Sequence, residues 1–111
     1  MNNDVNRTGQ AVLRLQQWYE NQCDGDWEHS FGITIDTLDN PGWILSIDLA
    51  ETEWEEVALP LVRIVRSDSD WFQYEIVEKK FRACGGIGNF VELLEAFFRE
   101  LGGSEERQHA G

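Results

Sequence analysis

Residues 31–49 alternate twice between apolar and polar side chains, and this pattern restricts the chain to folds built on an antiparallel sheet. Phe31, Ile33 and Ile35 alternate with Gly32, Thr34 and Asp36, while Trp43, Leu45, Ile47 and Leu49 alternate with Ile44, Ser46 and Asp48. A period of two puts successive side chains on opposite faces, so each run predicts a half-buried strand. Between the runs lies Asp39-Asn40-Pro41-Gly42, where proline fixes φ and glycine accepts positive φ, so the chain is expected to reverse there. Odd-numbered residues face inward on both strands, so opposed pairs must sum to an even number and the loop must hold an odd number of residues. A three-residue loop over 40–42 is the simplest solution. It sets Asp36 opposite Ser46 and Thr34 opposite Asp48.

The flanking segments complete an α+β plan. From about residue 10 to residue 22, Val12, Leu15, Trp18 and Tyr19 recur at steps of three and four, the spacing of one helical face. A β-branched run from Val57 to Arg66, with Pro60 near its start, reads as a third strand. "SDSD" makes the next turn, and Phe72, Tyr74 and Ile76 alternate with Trp71, Gln73 and Glu75 in a fourth strand that continues irregularly through Lys80 to Ala83. After "CGGIGN", Asn89 and Glu92 have the spacing of a helix N-cap and its reciprocal partner, and Phe90, Val91, Leu94, Phe97, Phe98 and Leu101 supply an apolar face. The expectation is a single domain over 1–111: an antiparallel sheet of about four strands flanked by an N-terminal and a C-terminal helix, with 1–8 and 104–111 as frayed tails. Both helices should cover the face of Ile33, Ile35, Leu45 and Ile47. The other face, with Thr34, Asp36, Ile44, Ser46, Asp48, Trp71, Gln73 and Glu75, should stay open.

Twenty-one acidic against nine basic residues give a formal net charge of −12. Such a surface has no general affinity for a phosphate backbone or an anionic membrane, so nucleic acid and membrane are excluded as direct partners. Cys23 and Cys84 lack C-x-x-C spacing and read as free, buried thiols. The opening "MNNDVNRTGQ" is polar and no apolar run approaches the ~18 residues a membrane helix needs. A cytoplasmic protein, neither exported by a visible signal nor anchored, is expected.

The densest chemistry lies in "QCDGDWEHSFG", residues 22–32. Cys23, Asp24, Asp26, Glu28 and His29 are all types that can ligate a cation. "DGDWEHSFGITI" nevertheless departs from a calcium loop after its second aspartate, and Cys23 and His29 are not repeated at zinc spacing. Neither cysteine neighbours a histidine as a nucleophile would its base, and the chain has only His29 and His109. The glycines of "CGGIGN" lack the lysine and the spacing of a phosphate loop, and a turn needing positive φ accounts for them. No cofactor and no metal are expected.

Recognition of another protein remains. Interfaces favour Trp, Tyr and Arg as anchors within a polar rim. Trp18 and Trp43 belong to apolar faces, whereas Trp27, Trp54 and Trp71 lie among acidic or polar neighbours. The first candidate contact set is the acidic loop, Asp24, Asp26, Trp27 and Glu28, although Asp and Gly are also what a helix-to-strand turn requires. The second is the open sheet face, Asp36, Asp48, Trp71 and Glu75.

The stretch "LQQWYENQCDGDWEHSFGITIDTLDNPGWILSIDL", residues 15–49, with its W-Y-x-x-Q-C-D-G-D-W-E-H and L-D-N-P-G-W motifs, resembles the immunity protein 53 family of bacterial polymorphic toxin systems. The later "GGIGNFVELLEAFF" is similar to that family's closing helix, while residues 51–80 carry no matching motif. The resemblance implies a small α+β protein made beside a toxin gene, which binds the toxin domain in the producer's cytoplasm and is not an enzyme. Acidity suits a toxin with a basic groove, such as a nuclease. The rival reading is a small metal-dependent hydrolase using Asp24, Asp26, Glu28 and His29.

Overall fold

In the computed structural model, which describes residues 2–102, helix α1 (Asn2–Gln22) leads through a single turn, α2 (Trp27–Ser30), into the sheet. The strands are β1 (Ile33–Leu38), β2 (Gly42–Asp48), β3 (Leu59–Val65), β4 (Trp71–Val77) and β5 (Lys80–Gly85). Helix α3 (Phe90–Phe97) follows and continues as a π-helical turn over Phe98–Gly102. All strands pair antiparallel in the order β1-β2-β5-β4-β3. The α+β architecture is the one the sequence predicts, with one strand more. Residues 104–111 lie outside the described span.

The additional strand is the segment after Val77. Val77 pairs with Lys80, leaving Glu78 and Lys79 as a two-residue hairpin loop with φ of 54° and 63°. Tight hairpins need positive φ at both central positions and favour Asn-Gly there, so Glu-Lys carries no local signal for the turn. The double substitution Glu78→Asn/Lys79→Gly should stabilise the protein by about 1 kcal/mol, since left-handed backbone is costly for most residues with a Cβ. A higher urea midpoint at unchanged slope would register the gain.

In the first hairpin the even sum and the three-residue loop both hold, but the loop covers 39–41 and Gly42 pairs with Leu38. Thr34 therefore faces Ser46 and Asp36 faces Ile44, a slip of two residues from the expected pairing. An even slip leaves every side chain on its expected face. Asp48 ends up beyond β1, where its carboxylate accepts the Gly32 N–H at 2.9 Å. Gly42 does not have positive φ; among the described glycines only Gly25 does. Its reason is close approach, because a Cβ there would collide with the Gly85 carbonyl oxygen. Gly85 follows the same logic, since a Cβ would lie 2.9 Å from Phe72 Cβ and 3.0 Å from the Trp71 carbonyl oxygen. The glycines expected to relieve a left-handed turn instead let two backbones touch.

The core lies on one side of the sheet, where α3 crosses β4 and β5 and α1 packs on α3. Leu45, Ile47, Phe81, Leu93 and Phe97 are sealed from solvent there. The inward stripe of α1 is buried Ala11 and Trp18 with half-buried Leu15; Val12 and Tyr19, expected inward, are exposed. The helix begins at Asn2 rather than near residue 10, so residues 2–8 are helix and not a frayed tail. The Arg7 guanidinium donates to both Glu95 oxygens at 2.7 and 2.9 Å, tying this first part of α1 to α3. Ile35 has the expected parity, yet it stays 48% exposed because β1 is an edge strand beyond the reach of α3.

Asn89 occupies the N-cap position of α3, but its side chain caps no backbone amide of the helix. Its Nδ2 donates to Glu92 Oε1 at 2.6 Å and Asp70 Oδ1 at 2.9 Å, while its Oδ1 accepts the Trp71 N–H at 3.3 Å. Arg66 closes this network by donating to Glu92 and Asp70. The Asn89 amide and the Arg66 guanidinium hold the Asp70 carboxyl below its usual range. Among the described residues, no helix is long and apolar enough to cross a membrane.

Candidate partner-binding surfaces

The acidic loop is built from its own carboxylates. Asp24 Oδ1 accepts the N–H groups of Asp26 and Trp27, both at 3.0 Å. Glu28 accepts those of Asp24 at 3.0 Å and Gly25 at 2.9 Å. Gly25, at φ 93°, makes the reversal possible. These bonds close the turn that leads into a one-turn helix, and the donated N–H groups of Trp27 and Asp26 draw the Asp24 carboxyl below its ordinary range. Asp24 and Glu28 are committed to holding the turn, and Asp26 is the carboxylate left facing solvent.

The sequence places Trp27 and Trp54 at the surface as anchors, yet they are only 3% and 8% exposed. Trp27 turns inward and its Nε1–H donates to the Ala50 carbonyl oxygen at 2.8 Å, which satisfies the one polar group that burial would strand. Trp18 stacks on Trp54 with ring centres 5.6 Å apart and meets Trp27 edge-on at 6.0 Å. The three indoles thus bring residues 23–31 and residues 49–57 side by side.

The second of those segments is not among the surfaces expected from sequence. It contributes exposed Glu51, Glu53 and Glu56, and it adjoins the loop of Asp26 through the Trp27–Ala50 hydrogen bond. Glu55 instead accepts the Glu51 N–H and pairs with Lys79 at 3.4 Å, and the first of these contacts does most to lower its carboxyl below the usual range. A signal exists in the sequence: "ETEWEE" sets a tryptophan among acids as "DGDWEH" does. Both tryptophans are buried against Trp18, while acidic residues flanking each stay exposed.

Among the described residues, no three His, Cys, Asp or Glu side chains are grouped to hold a metal ion. Of the four groups a hydrolase would use, Asp24 and Glu28 are turned to backbone amides and His29 is exposed. Cys23 and Cys84 are free and half-buried rather than sealed in the core.

The open sheet face differs from the acidic surface expected of it. One row across the strands reads Asp36, Ile44, Cys84, Gln73, Arg63, and the next reads Thr34, Ser46, Arg82, Glu75. Asp48 is paired with Lys80 at 2.9 Å. Asp36, Asp48 and Glu75 are therefore matched in number by Arg63, Lys80 and Arg82, which arrive on β3 and β5. Trp71 lies half-exposed at one end, opposite Val65. The middle of the face dips into a hollow of about 320 Å³ among Leu38, Ile44, Leu61 and Cys84, edged by Gln73 and Arg82. Burial pushes the Cys84 thiol above its ordinary range, and the side chain forms part of the hollow's wall. The two surfaces meet where Asp48 leads into residues 49–57.

A family model described as immunity protein 53 matches residues 12–101, from the middle of α1 into the π-helical turn. The chain belongs to the immunity protein 53 family. No curated protein and no solved structure was found to match it. Membership carries an immunity function and, with it, a cognate toxin as partner. In this member of the immunity protein 53 family the matched span contains both surfaces, including residues 51–80, which carry no motif that stands out in the sequence.

Proposed function

We propose that this chain neutralises the toxin domain encoded by a neighbouring gene, binding it stoichiometrically in the cytoplasm of the cell that makes both. It acts by occlusion and catalyses nothing. The observation that carries this reading is the set of exposed carboxylates, Asp26, Glu51, Glu53 and Glu56, borne by the two segments whose tryptophans, Trp27 and Trp54, are buried against Trp18, in a member of an immunity family. A toxin that cleaves nucleic acid needs a basic substrate groove. Clustered carboxylates on a rigid support would compete for that groove and steer the encounter to roughly 10⁸–10⁹ M⁻¹s⁻¹ at low salt. We therefore favour a nuclease as the toxin. Trp27 and Trp54 act from beneath, fixing the two loops rather than touching the partner.

The test is to purify the toxin domain encoded next to this gene and mix it with the protein. A one-to-one complex on size exclusion with light scattering, and loss of toxin nuclease activity at one molar equivalent, is the expected result. Absence of a complex, or inhibition at far below stoichiometric amounts, would sink the proposal.

A further inference from the structure

Carboxylates outnumber basic residues in this chain by 21 to 9, so any arginine could find a partner within it. Most cations do. Arg7 pairs with Glu95, Arg66 with Asp70 and Glu92, Lys79 with Glu55, and Lys80 with Asp48. Arg14 lies over the Phe98 ring and Arg99 beside Tyr74. Among the described residues, only Arg63 and Arg82 make no ion pair, no side-chain hydrogen bond and no ring contact.

Both point from the open sheet face. They lie in adjacent rows, with Arg63 opposite Gln73 and Arg82 between Ser46 and Glu75. The apolar hollow of Leu38, Ile44 and Leu61 is edged by Arg82 and Glu75, with Arg63 in the neighbouring row beyond Gln73, and Leu61 is 53% exposed. An apolar centre with a polar, charged rim is how protein interfaces are arranged. Guanidinium groups left unpaired in an acid-rich chain call for carboxylates from outside, which their planar forks bind in bidentate fashion. A second copy is a poor source, because each copy carries −12 and the two would repel.

We infer that the open face receives a carboxylate-bearing segment of the toxin, which seats an apolar side chain in the hollow and pairs its acidic neighbours with Arg63 and Arg82. This rests on the immunity reading above. It adds a second contact, made by two arginines of a charge-balanced face rather than by carboxylates, so that a toxin would be recognised through charges of both signs. The pattern of sign favours one partner over others, since a like charge placed at either contact is penalised.

The experiment compares wild type, Arg63→Ala/Arg82→Ala and Leu61→Glu for binding to the purified toxin domain by surface plasmon resonance. All three positions are exposed, so thermal unfolding should be unchanged. Each variant is expected to bind about 30-fold more weakly or worse, with most of the loss in faster dissociation. If wild type binds and both variants bind within about threefold of it, the inference is overturned while the immunity reading stands. If wild type itself fails to bind, the immunity reading falls first. If sedimentation shows a wild-type dimer that Arg63→Ala/Arg82→Ala dissociates, the occupant is a second copy and the inference is overturned.

Discussion

Phe97→Ala is expected to lower the unfolding free energy by about 4 kcal/mol. Phe97 is sealed from solvent and touches four other rings: Trp18 at 5.3 Å, Trp54 at 5.5 Å, Phe81 at 5.1 Å and Phe98 at 4.9 Å between centres. These contacts are edge-to-face and oriented by the ring itself, so neighbours cannot close the gap by sliding inward. Its position matters as much as its size. Phe81 belongs to the central strand and Trp18 to α1, so this ring joins the sheet core to the indole cluster beneath the acidic loops. Urea unfolding followed by tryptophan fluorescence would measure the loss. Phe97→Leu, which keeps most of the volume, should cost distinctly less. A loss below about 1 kcal/mol for Phe97→Ala would mean that the cluster repacks and is not the rigid support described.

Reversing Asp26, Glu53 and Glu56 to lysine together should slow association with the toxin by about 100-fold at low salt, with dissociation little changed. Three reversals move the formal net charge from −12 to −6, two units each. The effect should shrink as ionic strength rises, because exposed charges are screened over roughly 8 Å at physiological salt. These three carboxylates are chosen because they are exposed and hold no loop together. Reversing Asp24 or Glu28 would confuse the result, since each accepts two backbone N–H groups and its loss would unpin the turn. The triple variant should fold at least as well as wild type, because crowded like charges are relieved. Stopped-flow mixing decides the matter. An unchanged association rate with an intact fold would remove this end from the interface.

What the sequence discloses depends on how local the governing contact is. The β1–β2 hairpin and β4 are legible because a period of two survives any even register slip, and the misplaced 40–42 loop is such a slip. The β4–β5 hairpin is not legible, because Glu78 and Lys79 adopt a left-handed turn that their types disfavour. Trp27 is misleading when read from its neighbours. Their acidity describes the rim of the loop, whereas the indole answers to Ala50 and Trp18, contacts that only tertiary structure supplies. The balance of charge on the open face is hidden for a similar reason. Asp36 and Asp48 are visible in recognisable strands, but Arg63, Lys80 and Arg82 join them only through pairings set by the strand order. Likewise Asp26 is a candidate on sequence alone, and the segment of Glu51, Glu53 and Glu56 is brought to its loop only by the packing of two distant tryptophans on Trp18.

The strand order has a temporal consequence. The last strand to be synthesised lies in the middle, and the hairpins β1–β2 and β3–β4 share no ladder except through it. A nascent chain emerging from the ribosome therefore carries two disconnected ribbons until residue 85 is free, and a two-stranded ribbon alone is barely stable in water. Translation that stops short of β5 leaves the two ribbons without the strand that joins them.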